Sequence, residues 1–323
     1  MKASYGELRG PSLAQGSFDP KGPIAEQLAN LWWVMLAISV VVFVIFLAAL
    51  GYSLFRRRVD DGSEEVEKTS LMANRWIIWG GVVLPVIVLS VIFVLTIEAM
   101  RSTTLDLPEE PVVIEGIAHQ WWWEFRYEGG EVVTANEIHI PTGEAVQLHL
   151  DSADVIHSFW VPALAGKIDV LPDYTNTLTL QADEPGDYRG QCAEFCGLQH
   201  AKMAVIAIAR PRAEFNRWLA EQAMPAAAPD DPLTQRGHQV FLQAGCPECH
   251  TIRGTEASGD KGPDLTHLAS RQTLAAATIP NTPEHLSNWI ADPQAVKEGT
   301  QMAAASLTED DLAALTAYLM ELR

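Results

Sequence analysis

The chain has few basic residues and few cysteines, and both shortages limit the kinds of partner and of chemical site that it can have. Its 323 residues include 22 lysines and arginines against 41 aspartates and glutamates, which gives a formal net charge of −19 at pH 7. Such an acidic surface argues against nucleic acid as a partner and favours cationic partners or simple solubility. The length exceeds that of one ordinary domain and suggests two or three. Only four cysteines are present, and all four fall in two short motifs.

Charged residues are absent from two long apolar runs near the N-terminus. The runs cover 31–55 and 76–97, and each is long enough to cross a bilayer as a helix. Tryptophans cluster near one end of each run, as interfacial anchors do; the alternative is a pair of buried core helices. Basic residues in the connecting loop predict a cytoplasmic loop with both termini outside. These residues are Arg56, Arg57, Arg58, Lys68 and Arg75.

The remainder of the chain changes from a strand pattern to a helix pattern. Short apolar segments separated by turn signals predict a sandwich or small barrel. Apolar periodicity after a proline-rich stretch predicts helices instead. The predicted strands are 112–117, 137–140, 146–150, 177–180 and 204–208, and the predicted helices are 213–222, 234–244, 282–290 and 308–322. The predicted organisation is an external segment (1–30), a transmembrane helix hairpin (31–98), a β domain (99–222), a linker (223–232) and a helical domain (233–323).

The first cysteine motif gathers sulfur and imidazole donors in one short stretch. Its members are Cys192, Cys196, His200 and Met203. Thiolate, thioether and imidazole ligands suit copper, and a single type 1 copper uses one cysteine. Two thiolates can instead bridge two metal ions, each with its own imidazole, and His157 is the only well-placed second imidazole. The alternatives are a disulfide between the two cysteines, a thioredoxin-fold copper chaperone, and tetrahedral zinc.

The second motif has the C-x-x-C-H spacing of c-type haem attachment. Cys246 and Cys249 would form thioether bonds to the haem, and His250 would be the proximal iron ligand. A zinc half-site and a redox dithiol are the alternatives. No second cysteine pair remains for zinc, and no βαβ pattern of the thioredoxin kind surrounds the motif.

Four parts of the chain resemble subunit II of the haem-copper cytochrome c oxidases. They are the helix hairpin, the aromatic run at 119–127, the loop at 154–162 and the copper loop at 192–203. The resemblance implies a cupredoxin-like barrel that holds a dinuclear copper A centre. The implied copper A ligands are His157, Cys192, the Glu194 carbonyl, Cys196, His200 and Met203. It also implies that the Glu194 carboxylate binds magnesium at the interface with subunit I.

Trp121 matches the tryptophan through which external cytochrome c passes its electron in that family, although an ordinary packed aromatic fits the position equally well. The C-terminal segment resembles small soluble cytochromes c. This second resemblance implies Met302 as the sixth haem ligand, and His/Met ligation raises the haem potential. The alternatives for the sixth ligand are Met320, His285 and His267, and the last is expected on the surface.

The fold class expected from both resemblances is a multi-domain protein: a two-helix transmembrane hairpin, then an all-β cupredoxin-like barrel, then an all-α cytochrome c domain. The fusion resembles the caa-type oxidases of the bacterial plasma membrane, with both redox domains on the outer face. It implies electron transfer from a donor through haem c and copper A to subunit I, which reduces oxygen and pumps protons. The implied partners are subunits I and III, membrane lipid, and a donor such as the quinol–cytochrome c reductase complex or a cytochrome c. A copper A nitric oxide reductase subunit, a free-standing membrane-anchored electron carrier and a copper-delivery protein are the alternatives.

Overall fold

The computed structural model describes residues 16–55, 73–102 and 105–323. These residues form two compact units: one contains 26–55 and 73–102, and the other contains 16–25 and 105–323. The basic residues that predict a cytoplasmic loop, Arg75 excepted, lie outside the described part of the chain. The orientation of the loop therefore stays a prediction.

Two long apolar helices dominate the first unit. Helix α1 is Pro23–Phe55. The second span, Ala73–Arg101, has a π-helical turn at Trp79–Val83 and continues as α2, Leu84–Ser102. The most apolar window of each span has a mean hydropathy of 3.0 and 2.8, and neither window is buried. Both helices are therefore long and apolar enough to cross a membrane.

The second unit begins with a β domain of two five-stranded sheets. The strands are β1 Val113–His119, β2 Trp122–Tyr127, β3 Val132–Ala135, β4 Glu137–Pro141, β5 Val146–Ser152, β6 His157–Trp160, β7 Ile168–Val170, β8 Asn176–Leu180, β9 Gly186–Cys192 and β10 Ala204–Arg210. One sheet has the order β3-β2-β1-β5-β8, and the other has the order β4-β10-β9-β6-β7. All five predicted strands are present.

The core of this domain lies between the sheets. Along β5, Val146, Leu148 and Leu150 are fully buried, while the residues between them are partly exposed. This two-residue period is the pattern expected of a strand with one face on a core. Phe125 and Phe159, one from each sheet, meet edge to face with ring centroids 6.3 Å apart. The other five strands, β2, β3, β6, β7 and β9, were not among those predicted; at β9 the turn-forming sequence at its start hides the strand pattern.

The helical domain follows α3, Arg212–Ala223. Its helices are α4 Pro232–Gln243, α5 Pro283–Ala291, α6 Pro293–Val296 and α7 Glu309–Leu319. A short hairpin joins β11, Thr273–Leu274, to β12, Ile279–Pro280. Thr308 caps α7 as predicted, because its hydroxyl accepts a hydrogen bond from the Asp311 amide.

A glycine allows α4 and α7 to cross closely. A Cβ added at Gly237 would overlap the Ala314 carbonyl and lie 2.6 Å from Cβ of Tyr318. Alanine favours a helix over glycine by about 1 kcal/mol, but overlap with backbone atoms cannot be relieved by rotation of a side chain. We expect Gly237→Ala to lower the free energy of unfolding of this domain by about 2 kcal/mol. Hydrogen exchange of α4 and α7 amides in the intact chain would measure it. Gln239→Ala, on the exposed side of α4, is the matched control and should change exchange little.

The β domain and the helical domain share a buried carboxylate. The Oε1 atom of Glu137, which is 2% exposed, accepts hydrogen bonds from the amides of Gln272 at 2.8 Å and Thr273 at 3.0 Å. Burial raises the pKa of Glu137 to about 7, although nearby Arg271 and these hydrogen bonds act in the opposite direction.

This raised pKa makes the contact between the domains depend on pH. Glu137 keeps its proton in the contact up to about pH 7, whereas the exposed carboxyl ionises near 4.5. Raising the pH from about 4.5 to about 7 therefore favours the state in which the two domains are apart and Glu137 is exposed. The change is at most about 1.4 kcal/mol per pH unit. We expect Gln272 and Thr273 amides to exchange faster as pH rises from 5 to 7, after correction for intrinsic rates. Glu137→Gln should remove this dependence, and an unchanged dependence in that variant would contradict the assignment.

Candidate metal and haem sites

Three strand ends position the first cluster of donors. Strand β6 begins at His157, β9 ends at Cys192, and Phe159 of β6 pairs with Cys192. The loop after β9 turns at His200–Lys202 and returns through Met203 into β10. The sheet register therefore brings His157 to the loop, although 35 residues separate it from Cys192.

The donor atoms form a symmetric arrangement around two sulfurs. The Sγ atoms of Cys192 and Cys196 are 3.8 Å apart, far from the roughly 2.05 Å of a disulfide bond. Each sulfur has one imidazole nitrogen and one weaker donor beside it. Around Cys192 Sγ these are His157 Nδ1 at 3.9 Å and the Glu194 carbonyl oxygen at 3.2 Å. Around Cys196 Sγ they are His200 Nδ1 at 3.7 Å and Met203 Sδ at 3.8 Å.

The cluster is largely buried, and its two thiols differ in acidity. The side chains of His157, Cys192, Cys196 and Met203 are at most 3% exposed. The hydrogen bond between the two thiols lowers the pKa of Cys192 and raises the pKa of Cys196. A metal ion binds cysteine as the thiolate, so metal binding would displace the thiol protons of the pair. Paired sulfurs with imidazoles and a thioether are the soft donor set that copper prefers.

A carboxylate behind His157 fixes the orientation of its ring. The Asp154 Oδ1 atom lies 2.8 Å from His157 Nε2, which leaves Nδ1 facing the sulfur. Burial alone would lower the pKa of His157, but the hydrogen bonds to Asp154 and Cys192 outweigh it and raise that pKa. Such carboxylate–histidine pairs support metal ligands in many sites. Asp154 had no predicted role; its position three residues before His157 is the only signal in the sequence.

The carbonyl of Cys196 is held by two side chains from the β1–β2 turn. The Trp121 indole nitrogen donates to it at 3.0 Å and the Gln120 amide at 2.7 Å. Gly197 follows with a φ of +115°, and a Cβ there would lie 3.1 Å from the Trp121 ring. Glycine is therefore needed at this position for both its conformation and its size. Trp121 lies directly on the copper loop, whereas the Glu194 side chain is exposed.

The second cysteine motif lies in a short 3₁₀ turn, Cys246–Glu248, between α4 and His250. His250 Nδ1 lies 2.7 Å from the Pro263 carbonyl oxygen, which assigns the proton to Nδ1 and leaves Nε2 as the free donor atom. A Cβ on Gly262 would come within 2.7 Å of the His250 ring, so this glycine gives the imidazole its space. The two thiols are not buried and Nε2 is available, which fits covalent haem with His250 as a ligand.

The four candidates for the sixth haem ligand lie in different parts of the helical domain. Met302 lies in the loop before α7 and its half-buried side chain packs against the core of the helical domain. Met320 packs against the same core from the end of α7. His267 was predicted on the surface, and this prediction is wrong. The residue is 4% exposed, and its Nε2 bonds to the Met224 carbonyl oxygen. His285 Nδ1 lies 2.8 Å from the Thr282 hydroxyl at the start of α5.

Comparison with known proteins agrees with this arrangement. The family "Cytochrome C oxidase subunit II, periplasmic domain" matches residues 128–209, and the family "Cytochrome c" matches residues 234–323. Cytochrome c oxidase subunit 2 of Alkalihalophilus pseudofirmus is 37% identical over 95% of this chain and 90% of its own. The corresponding subunit of Bacillus sp. strain PS3 is 32% identical over 83% of this chain and 80% of its own.

Solved structures are also similar to part of this chain. The periplasmic domain of subunit II of cytochrome oxidase from Bradyrhizobium japonicum covers 36% of this chain and 96% of its own, with 28% identity and a TM-score of 0.34. The predicted order of helices, cupredoxin-like β domain and cytochrome c domain is confirmed. The β domain implies a copper centre, the helical domain implies haem c, and the apolar helices anchor the chain to a membrane. The chain belongs to the cytochrome c oxidase subunit II family, in the form that carries a fused C-terminal cytochrome c domain.

Proposed function

We propose that this chain is the subunit through which electrons enter a respiratory terminal oxidase. Electrons pass from a donor through haem c to dinuclear copper A, and on to subunit I for oxygen reduction coupled to proton pumping. The observation that carries the proposal is the pairing of donors in the copper loop, where each buried sulfur has its own imidazole and its own weak donor.

The copper ligands in this proposal are the donors that already surround the two sulfurs. They are His157, Cys192, the Glu194 carbonyl, Cys196, His200 and Met203. A tetrahedral zinc ion would take four donors and leave both weak donors unused, whereas two bridged coppers use all six. When bound, the copper pair supplies reversible one-electron chemistry. The chain supplies a rigid cradle, because sheet pairing of β6 with β9 and the Asp154 contact hold the donors in place.

The haem ligands in this proposal come from the helical domain alone. Cys246 and Cys249 bind the haem covalently, His250 is the proximal ligand and Met302 is the sixth ligand. The free Nε2 of His250 supports the proximal role. The position of Met302, in a loop and partly covered by the domain core, supports an axial role better than the position of Met320 at a helix end.

Two further roles belong to the same proposal. The exposed Glu194 carboxylate binds magnesium at the interface with subunit I. Its neighbours Phe195 and Leu198 are 76% and 68% exposed, which supports a partner surface there.

Trp121 accepts electrons from an external cytochrome c, and its hydrogen bond to the Cys196 carbonyl supports a short route to the copper loop.

The location and partners complete the proposal. The two helices span the bacterial plasma membrane, with the connecting loop in the cytoplasm and both redox domains outside. Subunits I and III and membrane lipid surround the hairpin, and the donor is the quinol–cytochrome c reductase complex or a cytochrome c. Covalent linkage of a cytochrome c domain supports this order of transfer, because a tethered donor has a high effective concentration.

Oxygen and nitric oxide consumption by the detergent-solubilised complex would test the function. With a reduced one-electron donor, we expect rapid oxygen consumption and slow nitric oxide consumption. The reverse preference would indicate a copper A nitric oxide reductase. Purification of this chain without a large polytopic partner, under gentle detergent and with full shuttle activity, would instead indicate a free-standing carrier.

A further inference from the structure

A short segment of the cytochrome c domain lies directly on the copper loop. The segment is 296–299, which ends α6 and leads toward Met302. The Gln199 side chain donates to the Glu298 carbonyl at 2.6 Å, and the Lys202 ammonium donates to the Val296 carbonyl. Both donors flank His200 in sequence, so the contact reaches the part of the loop that presents the copper donors.

Lys297 is a buried lysine whose hydrogen-bond acceptors lie outside this segment. It is 3% exposed, and its ammonium donates to the Trp121 carbonyl at 2.6 Å and to the Ala275 carbonyl at 3.3 Å. A buried lysine is costly unless it is hydrogen-bonded, and both of these acceptors belong to residues outside the segment. Because the Trp121 indole holds the Cys196 carbonyl, Lys297 is connected to the copper loop through one residue.

A second patch holds the same two domains together. The tip of the β11–β12 hairpin packs Ala277 against Ile206 and Ile208 of β10 in a buried cluster. The Ala276 carbonyl accepts from the Ala204 amide at 3.3 Å. The three alanines 275–277 have φ values of 53–58°, a left-handed conformation that is unfavourable for residues with a Cβ. Such a turn persists where surrounding contacts determine it, which indicates one defined docking geometry.

We propose that Lys297 is a positioning residue that holds the cytochrome c domain on the copper loop and thereby sets the rate of electron transfer from haem c to the copper pair. The proposal rests on the function proposed above. In the step that Lys297 assists, the haem iron goes from ferrous to ferric while the copper pair gains one electron. Lys297 itself exchanges no electron; it fixes the distance between the two domains.

Lys297→Met tests the proposal, since it keeps the length of the side chain and removes its donors. Lys167→Met is the matched control, because Lys167 is an exposed lysine of the β domain whose one ion pair, with Asp169, is also exposed. The full complex is reduced rapidly at the haem, and the appearance of reduced copper is followed by its near-infrared absorbance. Lys297→Met loses both hydrogen bonds of the ammonium, and we expect transfer to slow by at least about tenfold, the lower end of the effect of one such bond on the docking equilibrium. The spectra and potentials of both centres should be unchanged, as should transfer in the control.

Hydrogen exchange gives a second readout that does not require either cofactor. In Lys297→Met, amides of 296–299 and 199–202 should exchange faster, while those of α4 and α7 in the cytochrome core should keep their protection. Lys297→Gln serves in the same measurements if the first variant does not fold. Unchanged transfer and unchanged exchange in a folded variant would overturn the positioning role and leave the proposed function intact. Absence of haem c or copper from the wild-type complex would overturn the proposed function, and the exchange measurement would still decide whether Lys297 holds the domains together.

Discussion

Replacing Cys196 with serine should abolish the dinuclear copper centre and reduce oxygen consumption by more than about 100-fold. Even indirect partners of metal ligands are worth 10–100-fold in metal affinity or activity, and Cys196 is adjacent to three of the donors. Its Sγ lies 3.8 Å from Cys192 Sγ, 3.7 Å from His200 Nδ1 and 3.8 Å from Met203 Sδ. A serine hydroxyl is a poor bridging ligand for a soft metal. Copper content and the mixed-valence paramagnetic spectrum of the purified complex would measure the loss.

The control for this variant lies on the same strand as Cys192. Gln191 is exposed on β9, and Gln191→Ser should keep copper content, spectrum and turnover near wild type. In Cys196→Ser the haem spectrum should also be retained, because the haem residues lie in another domain. A Cys196→Ser complex with native near-infrared absorbance and normal turnover would show that the two sulfurs do not bridge a metal pair.

Replacing Met302 with leucine should lower the reduction potential of the haem by on the order of 0.1 V, a fraction of the range over which axial ligands tune haem. A thioether ligand raises the potential, and leucine cannot replace it. The two side chains have similar volumes, so the domain should still fold, at a cost below about 1.5 kcal/mol. Redox titration of the haem and loss of its sulfur-to-iron charge-transfer band would report the change.

Met320→Leu provides the comparison, since Met320 packs against the same core. We expect that variant to keep both the potential and the charge-transfer band. If Met320→Leu lost them and Met302→Leu kept them, Met320 would be the sixth ligand and the loop before α7 would have only a structural role. Loss in neither variant would direct attention to His285 or His267, although His267 Nε2 is already bonded to a backbone carbonyl.

Much of the copper loop could be predicted because its donors are close together in sequence. Cys192, Cys196, His200 and Met203 lie within one loop, and the chemistry of sulfur and imidazole indicates a soft metal without knowledge of the fold. The same is true of Cys246, Cys249 and His250. The partner His157 could be suggested only by elimination, since its approach depends on the pairing of β6 with β9.

The surroundings of the sites were much harder to predict. Nothing in the local sequence distinguishes Lys297 or Glu137 from the surface lysines and glutamates that are far more common. His267 was expected on the surface and is buried, with its Nε2 bonded to a backbone carbonyl 43 residues away. The contact between the two domains determines how buried such residues are and which groups they contact.

The sequence by itself determined the order of the parts: two apolar helices, a strand-rich domain with a sulfur–imidazole loop, and a helical domain with a haem motif. Those properties follow from side-chain chemistry and from periods of two or 3.6 residues, which are local. Only the tertiary structure decided that each sulfur has its own imidazole, that Asp154 supports His157, and that Lys297 bonds to Trp121, 176 residues away in the chain. Sheet register and domain packing bring these groups together, and neither is determined by a short stretch of residues.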